Sequence, residues 1–277
     1  MRDARKDFMS SEKELAYRYD LFITPDWRDR FDTLINEDIK LPSEGRILDV
    51  NCGTGAHAIE LAETMKGRGE VIGVDPSAER VEIARAKALA KKIDNVTFGQ
   101  STPTSLGFDG FEFDAVIGDA SMLPTDQIED LLDEMVRVAQ PDAPVVLKMT
   151  TRGSFDEFFS IYWEALMGAE LADEVWGELE ALIKERETTS EAEALAARAG
   201  LRNVRSLTSR EEFSFETGDS FIESPLIQDT FLSDWLRIVP DGRQEEIRER
   251  LVSIIDRERY DAPFVVSIKA TLITGIK

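Results

Sequence analysis

The stretch Ile47-Leu48-Asp49-Val50-Asn51-Cys52-Gly53-Thr54-Gly55 decides the reading of this chain. An apolar run passes without a break into closely spaced glycines, and a helical pattern begins near Ala56. That order joins a buried strand to a helix through a turn whose backbone can come close to a ligand. Twenty residues after Gly55, Asp75 closes the next β-rich run, EVIGVD at 70–75. A carboxylate at that place can accept hydrogen bonds from both hydroxyls of a ribose. Loop and acid together suit an adenosine-containing cofactor.

Outward from the loop, short β-rich runs alternate with helical patterns: RILDV at 46–50, EVIGVD at 70–75, NVTFG at 95–99, FDAVIG at 113–118 and PVVLKMT at 144–150. Such alternation predicts a parallel sheet with helices on both faces. The helices are expected at 78–92 and 126–139, the second with Ile128, Leu131, Leu132, Met135, Val136 and Ala139 on one face and Pro141 as its stop. Beyond the fifth strand two amphipathic stretches fill 154–187, one carrying Phe155, Phe158, Phe159, Tyr162 and Leu166, the other Val175, Trp176, Leu179, Leu182 and Ile183. A helix at 190–199 stopped by Gly200, a sixth strand within 203–215, a second helical excursion over 219–257 and a last strand at 264–276 complete the pattern.

Two cofactors fit the glycines, because Gly53-Thr54-Gly55-Ala56-His57-Ala58 also matches the G-x-G-x-x-A fingerprint of dinucleotide-binding proteins. Asp49 separates them: an anion just before the loop repels a pyrophosphate but favours the cationic amino group and sulfonium region of S-adenosylmethionine. The chain here resembles the class I S-adenosylmethionine-dependent methyltransferases, strongly over 46–150 and more loosely to the end. The resemblance rests on LDVNCGTG, on Asp75 within VIGVDPSAERVEIARAKA, on FDAVIGDAS, and on LLDEMVRVAQPDAPVVLKM.

That resemblance implies an α/β, Rossmann-like seven-stranded sheet of order 3-2-1-4-5-7-6 with strand 7 antiparallel, and helical cap insertions. It divides the chain into a leading helical segment (1–45), a cofactor-binding core (46–153), a first cap insertion (154–187), the core continued (188–215), a second cap insertion (216–262) and a last core strand (263–277). It implies that Gly53, Thr54 and Gly55 pack against the donor, that Asp49 lies beneath it, that Asp75 with the adjoining Pro76 takes the ribose, and that Gln100 and Ser101 stand near the adenine. Asn51 replaces the family's first glycine, a place where Asn accepts left-handed backbone better than most residues. Many relatives have an acid near Gln100, and the amino-methylating pattern N/D-P-P-Y/F is absent at Gly118-Asp119-Ala120-Ser121. Tyr17, Tyr19 and Phe22 resemble aromatic residues that close over the donor, Tyr19 being the one assigned to the site; packing of the leading helix is the other reading.

Single residues leave open choices. Asp119 follows the fourth strand, where open α/β sheets bind ligands; it is a candidate for the donor's methionine end or for a general base, and equally for a turn cap. No other catalytic group is assigned. His57, the only histidine, is expected in packing or cofactor contact, and Cys52 is read as a small loop residue. The aromatic stripe at 155–163 reads as a packed face, placed so that with the second excursion it caps an acceptor.

Composition sets the remaining bounds. Lys and Arg number 33 against 55 Asp and Glu, a net charge of -22 that disfavours nucleic-acid partners. No apolar run approaches the roughly 20 residues of a membrane span. Residues 1–10 are charged and lack a secretory apolar region, and one cysteine forms no internal disulfide, which predicts a cytoplasmic protein. The reading is a methyltransferase using S-adenosylmethionine on a small-molecule acceptor, without a metal, as monomer or homodimer. Its alternatives are an NAD-dependent oxidoreductase and a non-catalytic S-adenosylmethionine-binding protein.

Overall fold

A computed structural model describes residues 11–258 and 262–277; the charged stretch 1–10 read above lies outside them. Five strands, β1 (Gly45–Val50), β2 (Gly69–Asp75), β3 (Val96–Gln100), β4 (Ala115–Asp119) and β5 (Pro144–Thr150), lie parallel. Two long strands, β6 (Arg202–Phe215) and β7 (Phe264–Ile276), complete a sheet of order β3-β2-β1-β4-β5-β7-β6, in which β7 runs antiparallel to both neighbours. The order and the direction of the last strand are as the resemblance implied.

The central strands are apolar on both faces because both are covered. On one face α3 (Ala56–Met65) and α4 (Ala78–Lys91) bury Ile47, Val71, Ile117 and Val146. On the other, α5 (Ile128–Val138) and α8 (Thr189–Arg198) bury Leu48, Val50, Val116 and Val145. The stripe on α5 differs slightly from the sequence pattern. Val138 is buried where Val136 is half-exposed, and Ala139 leaves the helix at φ -67° and ψ 143°, two residues before Pro141. Extended backbone there lets Ala139 bridge to Phe113.

A third apolar cluster lies beyond the carboxyl ends of the strands and joins distant segments. The leading segment runs from α1 (Glu12–Arg18) through a π-helical stretch, Tyr19–Arg28, into α2 (Asp29–Asp38). It brings Trp27, fully buried, against Phe155, Phe213 and Phe231 at centroid separations of 6.2, 5.7 and 5.1 Å. Phe155 precedes α6 (Asp156–Gly168), which pairs with α7 (Ala172–Lys184). The second excursion, α9 (Gly218–Ile222), α10 (Leu232–Leu236) and α11 (Gln244–Glu258), meets them through Trp235, whose ring stacks 4.0 Å from Phe158. Tyr162 donates its hydroxyl to the Trp235 carbonyl at 2.7 Å. The stripe read as a packed face is one, and the two excursions pack together as the sequence predicted. Among the described residues no helix is long and apolar enough to cross a membrane.

Candidate functional site

The chain leaves β1 through Asn51 at φ 56°, in the left-handed region that its short polar side chain tolerates. The Asn51 amide donates to the Asp119 carbonyl at 2.8 Å, tying the ends of β1 and β4 together. Gly53 and Gly55 also have positive φ, 59° and 77°. A Cβ on Gly53 would stand 3.0 Å from the Tyr19 ring and 3.2 Å from Arg28 Nη1, so this glycine lets the leading segment close on the loop. On Gly55 a Cβ would meet Phe98 at 2.7 Å and Ala84 at 2.8 Å, so the second glycine seats α3 on its neighbours.

Asp75 is buried at the end of β2, its Oδ2 accepting from the Gly53 amide at 2.9 Å and its Oδ1 from the Ser77 amide at 3.0 Å. A carboxylate has about four acceptor directions, so two remain. Asp75 lines a cavity of about 310 Å³ together with Tyr19, Arg28, Asn51, Pro76 and Asp119. Tyr19 accepts from Arg28 Nη1 at 3.0 Å, and Arg80 lies 3.8 Å over its ring. Tyr17 and Phe22 are about half-exposed on the other side of the segment.

Tyr19, Asn51, Asp75, Pro76 and Asp119, singled out by sequence, thus share one cavity. Six others stand outside its lining. Gly53 and Gly55 shape the loop. Thr54 is buried and bonds to Asp20. Gln100 is exposed, with its amide donated to the Pro76 carbonyl at 2.9 Å; Ser101 beside it bonds backbone to the Asp75 carbonyl at 3.2 Å. Asp49 sits fully buried beneath the loop, and among the described residues neither of its carboxylate oxygens has a hydrogen-bond partner.

Asp49 belongs to a buried ionic cluster that sequence reasoning missed. Asp49, Asp119 and Lys148 project from strand ends toward the leading segment, which contributes Arg28 and Asp32. Lys148 Nζ lies 2.7 Å from Asp32 Oδ1 and 3.7 Å from Asp119 Oδ2, and Arg28 Nη2 lies 3.3 Å from Asp119 Oδ2. His57 Nδ1 is 3.5 Å from Asp32 Oδ1, which places the only histidine inside this cluster. Burial pushes Asp32 up, but Lys148, His57 and Arg28 outweigh it and hold the carboxyl below its ordinary range. At Asp49 burial wins over the same neighbours and its carboxyl is raised. Burial likewise pushes up the Cys52 thiol, helped by Asp49 and Asp75, as befits an inert loop residue. Lys148 had a visible signal, a lone charge inside the apolar run PVVLKMT; Arg28 and Asp32 had none within the polar DWRDRFD.

Asp119 caps the turn, the structural reading, and lines the cavity. Its Oδ1 accepts from the Ser121 amide at 2.8 Å and hydroxyl at 2.6 Å, capping the turn, while Oδ2 faces the two cations. Ser121 in turn accepts from Trp27 Nε1 at 2.9 Å. Ser121, Met122, Leu123 and Thr230 line this cavity and also a second one, of about 190 Å³, between the strand ends and the helical cap. Two adjoining chambers meet at the end of β4, one bounded by the loop and Asp75, the other by Met149, Thr150, Leu182, Arg186 and Trp235.

The sheet order, the antiparallel seventh strand and the loop-facing acid define the fold of the class I S-adenosylmethionine-dependent methyltransferases. Residues 47–142 match the model of a family described as a methyltransferase domain. Two curated relatives are demethylmenaquinone methyltransferases. That of Shouchella clausii is 30% identical over 134 residues, 48% of this chain and 56% of that protein, and that of Lactococcus lactis is 32% identical over 124 residues, 44% and 49% of the two. The chain spans about half the length of these relatives. Among solved structures, the YcgJ protein of Bacillus subtilis superimposes with a TM-score of 0.59 at 23% identity, over 90% of this chain and 98% of that one. Phosphoethanolamine N-methyltransferase 2 of Haemonchus contortus does so with 0.57 at 15% identity, over 98% of this chain and 59% of that one. At these identities the structural likeness is one of fold.

Proposed function

We propose that this chain is a methyltransferase that uses S-adenosylmethionine on a small-molecule acceptor. The observation that carries the reading is the pair of adjoining chambers, one built on the glycine loop and Asp75 and the other roofed by the cap. The residues present fit the donor. Asp75 keeps two acceptor directions for ribose hydroxyls, and the Arg28 guanidinium, held by Asp119 at 3.3 Å, lines the same chamber as a cation suited to the donor's carboxylate. Asn51, Pro76 and Tyr19 complete that wall. Gln100 and Ser101, beside Asp75 at the sheet end, remain the candidates nearest the adenine. The unpartnered buried carboxylate of Asp49 speaks for a cationic donor over a pyrophosphate, and so against a dinucleotide.

The sulfonium supplies a methyl group to an in-line nucleophile and leaves as a thioether that needs no proton. The chain's own task is then to hold two molecules in line and keep water out. The buried aromatic cap and the closed loop do that. Asp119 Oδ2 is engaged with Arg28 and Lys148, so its role is to position Arg28 rather than to take a proton. We read 46–153, 188–215 and 263–277 as the catalytic core and 154–187 with 216–262 as its cap. A net charge that disfavours nucleic acid and a single, buried, unpaired cysteine support a cytoplasmic enzyme, which we take to act as monomer or homodimer.

Calorimetric titration with S-adenosylmethionine, S-adenosylhomocysteine and NAD tests this reading. The first two are expected to bind, and Asp75→Ala to weaken them at least about tenfold by removing hydrogen bonds to a charged group. Binding of NAD alone, or of none of the three, would sink it. If the adenosyl ligands bind but no acceptor is ever turned over, a non-catalytic binding role replaces catalysis.

A further inference from the structure

Among the described residues the cap chamber holds a cation that forms no salt bridge. Arg186 follows α7 and is half-buried in the chamber wall. Its Nε donates to Thr150 Oγ1 at 3.3 Å, and its guanidinium lies 5.2 Å from the Phe155 ring centroid. These contacts fix the plane of the group. Among the described residues Arg186 forms no salt bridge, and nothing accepts from its two terminal nitrogens. This is unusual company for an arginine in a chain with 55 acidic residues to 33 basic ones.

Three carboxylates also line the chamber, none of them bonded to Arg186. Glu185 and Asp234 are exposed at the rim, and Glu185 lies 3.9 Å from Arg237; Glu187 is half-exposed. Of the buried lining Met149, Leu182, Phe231 and Trp235 are apolar, while Ser121 and Thr150 are polar. A guanidinium in such a setting loses hydration that only an anion repays well, and its planar fork matches carboxylate or phosphate oxygens. Burial, partly offset by Glu185, pulls the Arg186 guanidinium down from its ordinary value, as expected of a cation short of partners.

We propose that the cap chamber binds an acceptor with an apolar or aromatic body and an anionic end, a carboxylate or a phosphate, held by Arg186. The inference rests on the methyltransferase reading for the word acceptor. Its physical content, an anion-selective chamber next to the donor chamber, stands apart from it. Arg186 bonds to Thr150, and Thr150 Oγ1 donates at 3.2 Å to the carbonyl of Ser121, one of the residues common to both chambers. An anion anchored there leaves the rest of a small molecule beside the donor wall.

Four matched probes test this on the full chain saturated with S-adenosylhomocysteine: benzoate, phenyl phosphate, benzyl alcohol and benzylamine, with affinity read by calorimetry. At least one anion is expected to bind about tenfold or more tightly than the alcohol and the amine. Benzoate against phenyl phosphate tells which anion the chamber takes. Arg186→Gln should erase the preference while S-adenosylhomocysteine binds as before, and Arg186→Lys should keep part of it. Equal binding of all four probes, no binding of either anion, or a preference that survives Arg186→Gln overturns the proposal. The wild-type comparison decides even if the glutamine variant does not fold. Should the anion preference appear in a protein that fails to bind S-adenosylhomocysteine, the chamber stands and the methyltransferase reading falls.

Discussion

In the proposed donor site, Asp49 would serve binding at the expense of the fold. It is fully buried, its oxygens have no hydrogen-bond partners among the described residues, and three carboxylates in its cluster face two permanent cations. Replacing it with Asn removes the excess negative charge. Asp49→Asn is therefore expected to raise the thermal midpoint at pH 7 by a few degrees, on the order of 1 kcal/mol, and to weaken S-adenosylmethionine binding. A melting curve beside a titration checks both halves, and a lower midpoint would contradict the charge argument. Asp32 acts in the opposite sense. Its folded-state carboxyl lies below the ordinary range, so its contribution is present in full above the ordinary Asp value of about 3.9 and is lost as pH falls below that toward and through the lower folded-state value. Asp32→Asn should cost stability at pH 7 and much less near pH 3, as urea midpoints at the two values would show. The sequence made Asp49 and Asp75 legible because loop and strand fix their places. It hid Arg28 and Asp32, whose burial depends on the leading segment folding across the sheet ends.

Among the elements, the strands were read to within two residues at either end, since a parallel sheet covered on both faces must be apolar throughout. The cap was harder. Its helices were visible as amphipathic stretches, but periodicity says which face is apolar and not what covers it. Trp27, Phe155, Phe231 and Trp235 meet from three separate segments, and no spacing rule links them. α9 shows how closely the cap is fitted. A Cβ on Gly218 would lie 2.6 Å from the backbone of Val252 in α11, which no side-chain rotation can relieve. Gly218→Ala should thus destabilise the protein by about 1 to 3 kcal/mol, read as a lower urea midpoint. An unchanged midpoint would mean that α9 and α11 are less firmly apposed than described.

For the molecule as a whole, a net charge of -22 is a self-repulsion that added salt screens. The thermal midpoint is expected to climb as potassium chloride goes from roughly 0.05 to 1 M, where the screening length falls to about 3 Å. A flat or falling curve would show that the acidic side chains are already balanced by local ion pairs. Global shape also bears on how the chain is made. β7 lies between β5 and β6 yet comes after both in sequence. During synthesis at about 5 to 20 residues per second, the ribosome delivers β5 more than a hundred residues before β7, which pairs with its other edge. For several seconds the nascent chain therefore carries an open apolar sheet edge, a template for joining other chains. The half-made protein is the form most in need of a chaperone, and the sheet closes only when residue 276 has emerged from the exit tunnel.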